Sequence, residues 1–437
     1  MSRARAISLV CLICFFLTPL PAGGLSASPP AMGYRPGVML IGKRPGTSPA
    51  QMTQWLADRG LRLERDLAPL PIVSVQVPIG QEVAQAQAAR RAGQVAFAEV
   101  DYAADATDVV TPTDPGWIDQ WGPRRINAPA AWSIITNTTG IIIAVIDSGV
   151  KLDHPDLATN VWTNADETPG NFSDDDGNGK IDDVHGWHFF QNWNGISYVP
   201  AEDANVEDDY GHGTHVAGIA AAATNNGMGV AGIAWNARIM PVKVLDQFGT
   251  GWYSDIASGI VYAADNGARV INLSLGGAED SQTLRAAIDY ARSRGALVIA
   301  ATGNTGSAIL YPAAYEPVLA VAATDSNDRV ADFSNRGPQV DVAAPGVDIY
   351  STWPWRDGYF TKSGTSMAAP HVSGVAALIW ARCPPLSAGD VAGYITQTAV
   401  DVGEPGWDVN TGWGRIDAYQ AVQNILCWAV FLPLIRR

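Results

Sequence analysis

Positive charge is scarce in this chain: 28 Lys and Arg stand against 43 Asp and Glu in 437 residues, a net charge of −15. That balance argues against nucleic acid as a partner, because phosphates demand clustered cations. Charge of either sign is also sparse, at 16% of residues, while 44 glycines and 15 tryptophans are present. A disordered scaffold has the opposite composition, so the chain reads as compact and globular with many tight turns. It holds no internal repeat and no low-complexity tract. Neither terminal apolar run is long enough to span a bilayer as a helix: Ala6–Leu20 offers about 15 residues, and Ile425–Ile435 offers eleven.

The first of these runs follows Arg3 and Arg5 and leads to Pro-Ala-Gly-Gly around Ala22. This is the order of a secretory leader with small residues at its cleavage site, so residues 1–26 are expected to be removed on export. Of four cysteines, Cys11 and Cys14 lie in that leader, which leaves Cys383 and Cys427. Export permits a disulfide between them, but sequence alone does not bring their backbones together; two free buried thiols are the alternative. The tail, residues 425–437, leaves three readings open: packing on the domain, lying at a membrane surface, or serving as a sorting or anchoring signal.

Residues 35–105 read as a small α+β unit. Val38–Lys43 and Ile72–Val77 have strand character, and Gln94–Tyr102 closes as a strand. Ser48 can cap a helix with Pro49 in its first turn and Met52, Trp55 and Leu56 on its inner face, ending at Gly60. Gln81–Arg91 reads as a second helix. From about residue 112 to 424 the pattern changes. Aliphatic strands at Ile141–Ile146, Arg238–Val244, Val270–Leu275, Leu297–Ala301, Val318–Ala323 and Asp341–Ala343 alternate with helical stretches such as Ser254–Asn266 and Ser281–Arg294. The expected fold class is α/β, a doubly wound and mainly parallel sheet with helices on both faces.

Three short segments of this region carry hydrolytic chemistry. Asp147 emerges from the carboxyl end of an unbroken aliphatic run, in Ile-Asp-Ser-Gly. His212, in Gly-His-Gly-Thr-His, and Ser366, in Gly-Thr-Ser-Met-Ala-Ala-Pro, precede small apolar stretches (His215–Ala223 and Met367–Ala381) that read as helices. Side chains at such helix starts face the crevice above a parallel sheet. The order Asp, His, Ser is one of the known orders of serine hydrolases. A hydroxyl nucleophile needs a base to take its proton and a carboxylate to orient that base, and these three residues supply those parts.

On these motifs the chain resembles the subtilisin-like (subtilase) serine endopeptidases, over nearly everything from Pro112 to Gln423. The resemblance implies Ser366 as nucleophile, His212 as base, Asp147 as its orienting partner and Asn304 as a side-chain donor to the oxyanion. Pro370 is read as lying in the first turn of its helix, where a missing N–H costs nothing. His215, one turn past His212, is read as structural. Substrate is expected as an added strand along Ser274, Leu275, Gly276 and Gly277, with Ala301, Thr302 and Gly303 lining the specificity pocket. Leu310 stands where relatives often carry a smaller or polar residue, which implies a shallow apolar pocket. The 35–105 unit is similar to the family's inhibitory propeptide, with self-cleavage expected between Ala103 and Thr113.

Structural calcium is also implied. One set comprises Asp114, Asp156 and the loop carrying Thr224, Asn226, Met228 and Val230. A second comprises Asp174, Asp176, Asn178 and Asp182 or Asp183, at the opening spacing of an EF-hand loop. His185 occupies the position where such a loop requires a bidentate glutamate, so a complete EF-hand is excluded. The reading is thus a secreted, self-maturing, monomeric endopeptidase acting on polypeptides and held in check by its own propeptide. Its rivals are a catalytically silent binding module on the same fold and a narrow processing enzyme.

Overall fold

The computed structural model describes residues 34–91, 95–102, 109–193, 196–355, 358–425 and 427. The expected leader, residues 103–108 of the expected cleavage region, and the tail apart from Ile425 and Cys427 lie outside them. The chain divides into two compact units, residues 1–106 and 107–437.

The first unit runs β1 (Tyr34–Gly42), α1 (Pro49–Ala57), β2 (Arg62–Asp66), β3 (Ile72–Gln76), α2 (Glu82–Arg91), β4 (Phe97–Tyr102). Its strands form one antiparallel sheet in the order β2-β3-β1-β4. Helix α1 begins where the sequence signals it. Ser48 Oγ accepts from Gln51 N, the Gln51 side chain returns to Ser48 N, and Pro49 opens the first turn. Met52, Trp55 and Leu56 then pack on Met39, Ile41, Val73 and Val75 of the sheet.

The second unit opens with α3 (Trp121–Arg125), α4 (Ala128–Trp132) and β5 (Ile142–Asp147). Next come β6 (Trp187–Trp193), β7 (Tyr198–Asp203), α5 (His212–Ala221), β8 (Arg238–Lys243), α6 (Tyr253–Asp265) and β9 (Val270–Leu273). They are followed by α7 (Gln282–Ser293), β10 (Leu297–Ala301), β11 (Leu319–Thr324), β12 (Val342–Pro345), β13 (Ile349–Thr352) and β14 (Tyr359–Lys362). The unit closes with α8 (Thr365–Arg382), α9 (Ala388–Gln397) and α10 (Ala418–Gln423).

Eight strands form a sheet in the order β12-β11-β10-β9-β5-β8-β6-β7. All neighbours pair in parallel except β7, which returns antiparallel along β6. The aliphatic runs are continuous because both faces of the sheet are covered. Ile143, Val145, Ile239 and Ile299 join the core shared with α5 and α8. Their chain neighbours Ala144, Ile146, Met240 and Val298 join the core shared with α6 and α7. Each fully buried Ile or Val contributes roughly 1.5–3 kcal/mol, and the strand alternation spends them on two cores at once.

Two hairpins were not foreseen, β6–β7 at the sheet edge and the separate β13–β14, nor were the short helices α3, α4, α9 and α10 named. The second hairpin lies against α5. Helix α8 also starts earlier than expected, at Thr365. Pro370 is therefore its sixth residue and lies beyond the first turn. Cys383, at the end of α8, is bonded to Cys427 across a Cα–Cα distance of 5.4 Å, which settles the alternative left open above. Ile425 is buried beside it.

Candidate active site

Asp147 is the last residue of β5 and is fully buried. Its Oδ1 accepts from Ser148 N at 2.7 Å, and both carboxylate oxygens meet His212 Nδ1, at 2.8 and 3.0 Å. The glycines around His212 make this approach feasible. Gly211 caps α5 with φ +92°, and a Cβ there would lie 2.6 Å from the Trp353 ring. A Cβ on Gly213 would stand 2.1 Å from Gly149 O. Any side chain at either position would push the helix start off the strand end.

A buried carboxylate that the sequence did not single out braces this junction. Asp208 accepts from Ser148 Oγ (2.9 Å), Gly211 N (2.7 Å), Thr214 N (2.8 Å) and Thr214 Oγ1 (2.6 Å). Ser148 Oγ in turn accepts from Gly213 N at 3.0 Å. Burial pushes the Asp208 carboxyl above its ordinary range, against the hydrogen bonds that lower it. Buried Lys243 adds a second brace, donating to Ser148 O and to Asp209 Oδ1, each at 2.6 Å. His215 packs under this layer with its Nε2 3.0 Å from Phe360 O. Burial lowers its pKa to about 3, so it stays neutral and structural.

Ser366 is the second residue of α8. Its hydroxyl donates to Ser274 O at 3.0 Å, and Ser274 Oγ donates back to Ser366 O at 2.8 Å. Among the described residues no hydrogen bond joins Ser366 to His212. His212 and Ser274 nevertheless line one open cleft of about 380 Å³, together with Tyr210, Leu245, Gly276 and Gly277. The Ser366 backbone N–H belongs to the first turn of α8, where such groups have no helical partner. Beside it, Asn304 Oδ1 accepts from Thr365 N (2.8 Å) and Thr365 Oγ1 (2.9 Å). This fixes the amide so that its Nδ2 faces the space over Gly364, where a Cβ would sit 3.4 Å from that nitrogen.

Of the segments expected to bind substrate, Gly277 is already engaged, with its N–H and carbonyl both paired to Tyr311. Ser274, Leu275 and Gly276 precede it. Ala301 ends β10, Thr302 is fully buried, and the Gly303 N–H donates to Thr365 Oγ1 at 3.1 Å. Leu310 stands between these two walls. A Cβ on Gly276 would meet Leu310 Cβ at 2.9 Å, and one on Gly303 would meet Leu310 Cδ1 at 2.9 Å. Asn335, fully buried and not singled out from sequence, ties the intervening loop through Thr305, Ser307 and Ala308.

Two acidic clusters lie elsewhere in the second unit. Asp114 accepts from the backbone of Asn225 and Asn226, and Asp156 accepts from Asn226 Nδ2 and Val230 N, both at 2.8 Å. The 224–230 loop thus closes on both carboxylates. Burial, with Asp114 nearby, raises the Asp156 pKa to about 6. In the second site the carboxylate oxygens of Glu167, Asp176 and Asp183 lie within 4.8 Å of one another. Asp174 and Asp182 are occupied otherwise: Asp174 caps Gly177, Asn178 and Gly179, and Asp182 caps Gly170, Asn171 and Phe172. Asn178 Nδ2 donates to Asp176 and Asp183. Glu167 was missed because it precedes the motif by seven residues.

A buried carboxylate on an imidazole, with a serine at a helix start bonded to Ser274 of the same cleft, comprises the parts a serine hydrolase uses, and comparison with known proteins narrows the class. The Subtilase family profile matches residues 138–414. Thermitase from Thermoactinomyces vulgaris is 44% identical over 317 residues, covering 72% of this chain and 99% of that protein. A thermophilic serine proteinase from a Bacillus strain is 43% identical, covering 75% of this chain and 73% of its own. A solved protease structure from Pseudoalteromonas arctica superposes with a TM-score of 0.61 at 34% identity, covering 72% of this chain and 99% of that one. The chain belongs to the subtilase family and is a serine-type endopeptidase. No helix among the described residues is long and apolar enough to cross a membrane.

Proposed function

We propose that the protein is a secreted, calcium-stabilised endopeptidase that cuts peptide bonds through an acyl-enzyme on Ser366 and matures by removing its own 35–105 unit. The observation that carries the chemistry is the two-point contact of His212 Nδ1 with Asp147, at 2.8 and 3.0 Å. It fixes the proton on Nδ1 and leaves Nε2 as the acceptor. A turn about the Ser366 Cα–Cβ bond takes its hydroxyl from Ser274 O toward that nitrogen. A substrate strand pairing along Ser274–Gly276 competes for the same carbonyl and favours the turn.

Ser366 Oγ then attacks the scissile carbonyl carbon while His212 takes the proton. The carbonyl oxygen becomes negative and is met by Asn304 Nδ2 and Ser366 N. Collapse breaks the C–N bond, and His212 returns the proton to the leaving amine. Water, activated by the same imidazole, releases the acid. A fluorophosphonate should label the mature wild-type protein at Ser366 and casein should be degraded. A folded protein that takes no label is the silent binding module instead.

Leu310 between Gly276 and Gly303 supports a shallow apolar pocket for the residue before the cut. Replacing it with glycine should raise kcat/KM for peptides with a large aromatic residue there by roughly 10-fold or more, since a methylene-sized gap in such a pocket is worth about 1–3 kcal/mol. Fluorogenic peptides varied at that residue measure this. A wild-type preference for a cationic residue would contradict the reading.

The residues present suit a hard divalent cation. Glu167 is buried and its Oε2 has no partner, while Asp176 and Asp183 converge on it. We assign Glu167, Asp176 and Asp183 to one calcium and Asp114 and Asp156, with the 224–230 loop, to another. Calcium there would neutralise gathered carboxylates and cross-link loops. At a hundredfold excess over Kd each ion contributes about 2.7 kcal/mol, so chelating both should lower Tm by roughly 5–10 °C. Glu167→Gln should remove part of that calcium-dependent shift in a thermal melt. A melting point indifferent to chelator would sink the assignment.

A further inference from the structure

Pro370 is the sixth residue of α8. Its nitrogen carries no hydrogen, so the carbonyl four residues back, on Ser366, loses the helical bond it would otherwise accept. That carbonyl is held from elsewhere, by Ser274 Oγ at 2.8 Å. Behind Ser274 runs a chain of buried donors. Asn272 Nδ2 donates to Ser274 Oγ at 2.9 Å, and Ser373 Oγ donates to Asn272 Oδ1 at 2.8 Å. Asn272 and Ser373 are fully buried.

An amide in the middle of β9, between Ile271 and Leu273, is unfavourable unless its polar atoms are matched. Here they are matched in one direction. Asn272 and Ser274 point their donors toward the nucleophile, and Ser373 Oγ, which also lies 3.2 Å from Ala369 O, gives its proton to the nearer Asn272 Oδ1, so each bond polarises the next. Ser274 also accepts the Ser366 hydroxyl at 3.0 Å, so one residue grips the nucleophile at its backbone and its side chain.

We propose that Asn272 and Ser373 are positioning residues for the reaction. Acting through Ser274, they replace the helix bond that Pro370 cannot make, and so set where the Ser366 hydroxyl and N–H stand relative to His212 and Asn304. The proposal rests on Ser366 being the nucleophile. It explains a polar residue in a strand that is otherwise wholly aliphatic, and a serine in the interior of a largely buried helix.

Asn272→Ala and Ser373→Ala, measured beside wild type, test it. Ser373→Ala removes only the far end of the chain and suits a helix, so it decides the matter if Asn272→Ala does not fold. We expect kcat to fall about 10-fold for Asn272→Ala and about 3-fold for Ser373→Ala, with KM within about twofold because neither side chain meets substrate. The rate of fluorophosphonate labelling should fall in parallel, since a misplaced nucleophile slows both reactions. A merely structural chain would lower Tm while leaving kcat and the labelling rate of the folded protein unchanged, and that result would overturn the proposal. If wild type itself takes no label, the nucleophile assignment fails; labelled wild type with unaffected variants counts against the positioning role alone.

Discussion

Ser366→Ala should lower turnover of casein by about 10⁶-fold, the size of effect found when this residue type is removed in subtilisin itself, and should leave the N-terminal unit attached. The physical reason is that the other parts act through the hydroxyl. With no oxygen to attack, the Asp147–His212 pair at 2.8 Å has no proton to accept, and only binding and the oxyanion donors remain. Two measurements check this: steady-state hydrolysis, and the mass of the purified chain. Wild type should lose about the first hundred residues while the variant persists as the longer form. Identical processing of the two would show that another protease makes the cut.

Asn304→Leu should lower kcat by about 10²–10³-fold with little change in KM; that range is again one measured in subtilisin. Asn304 is aimed by its own carbonyl end: Oδ1 is held by Thr365 N and Oγ1, at 2.8 and 2.9 Å, which leaves Nδ2 to serve the charge that develops during attack. Leucine keeps the volume and removes the donor. Because ground-state binding makes little use of that donor, the loss should fall on turnover. Equal losses in KM and kcat, or none in either, would mean that the oxyanion is stabilised elsewhere. Thr365→Val should produce a smaller loss of the same kind, by freeing the amide to turn.

The motif residues and the sheet that carries them were legible because their signals are local. Asp147 ends an aliphatic run, His212 sits between glycines, and Ser366 precedes a small-residue helix, so each proposed role is readable within about ten residues. What escaped the reading is what lies at long range. Lys243 reaches Ser148 across 95 positions, Asn272 meets Ser373 across 101, and Asp208 braces Ser148 across 60. Nothing near Glu167 in the chain announces that its carboxylate will face Asp183. Pro370 was misplaced by a small error in a helix boundary, yet that error hid the missing donor behind Ser366.

Sequence alone therefore determined the central parallel strands with helices between them, the likeness to a protease family and the candidate reacting groups, because periodicity and short motifs are properties of neighbouring residues. Tertiary structure alone decided which carboxylates gather together, that Leu310 fills the space between Gly276 and Gly303, that Cys383 meets Cys427, and which buried polar groups hold Ser366. Those outcomes depend on which surfaces of a parallel sheet come into contact once both of its faces are covered, and chain separation carries no record of that.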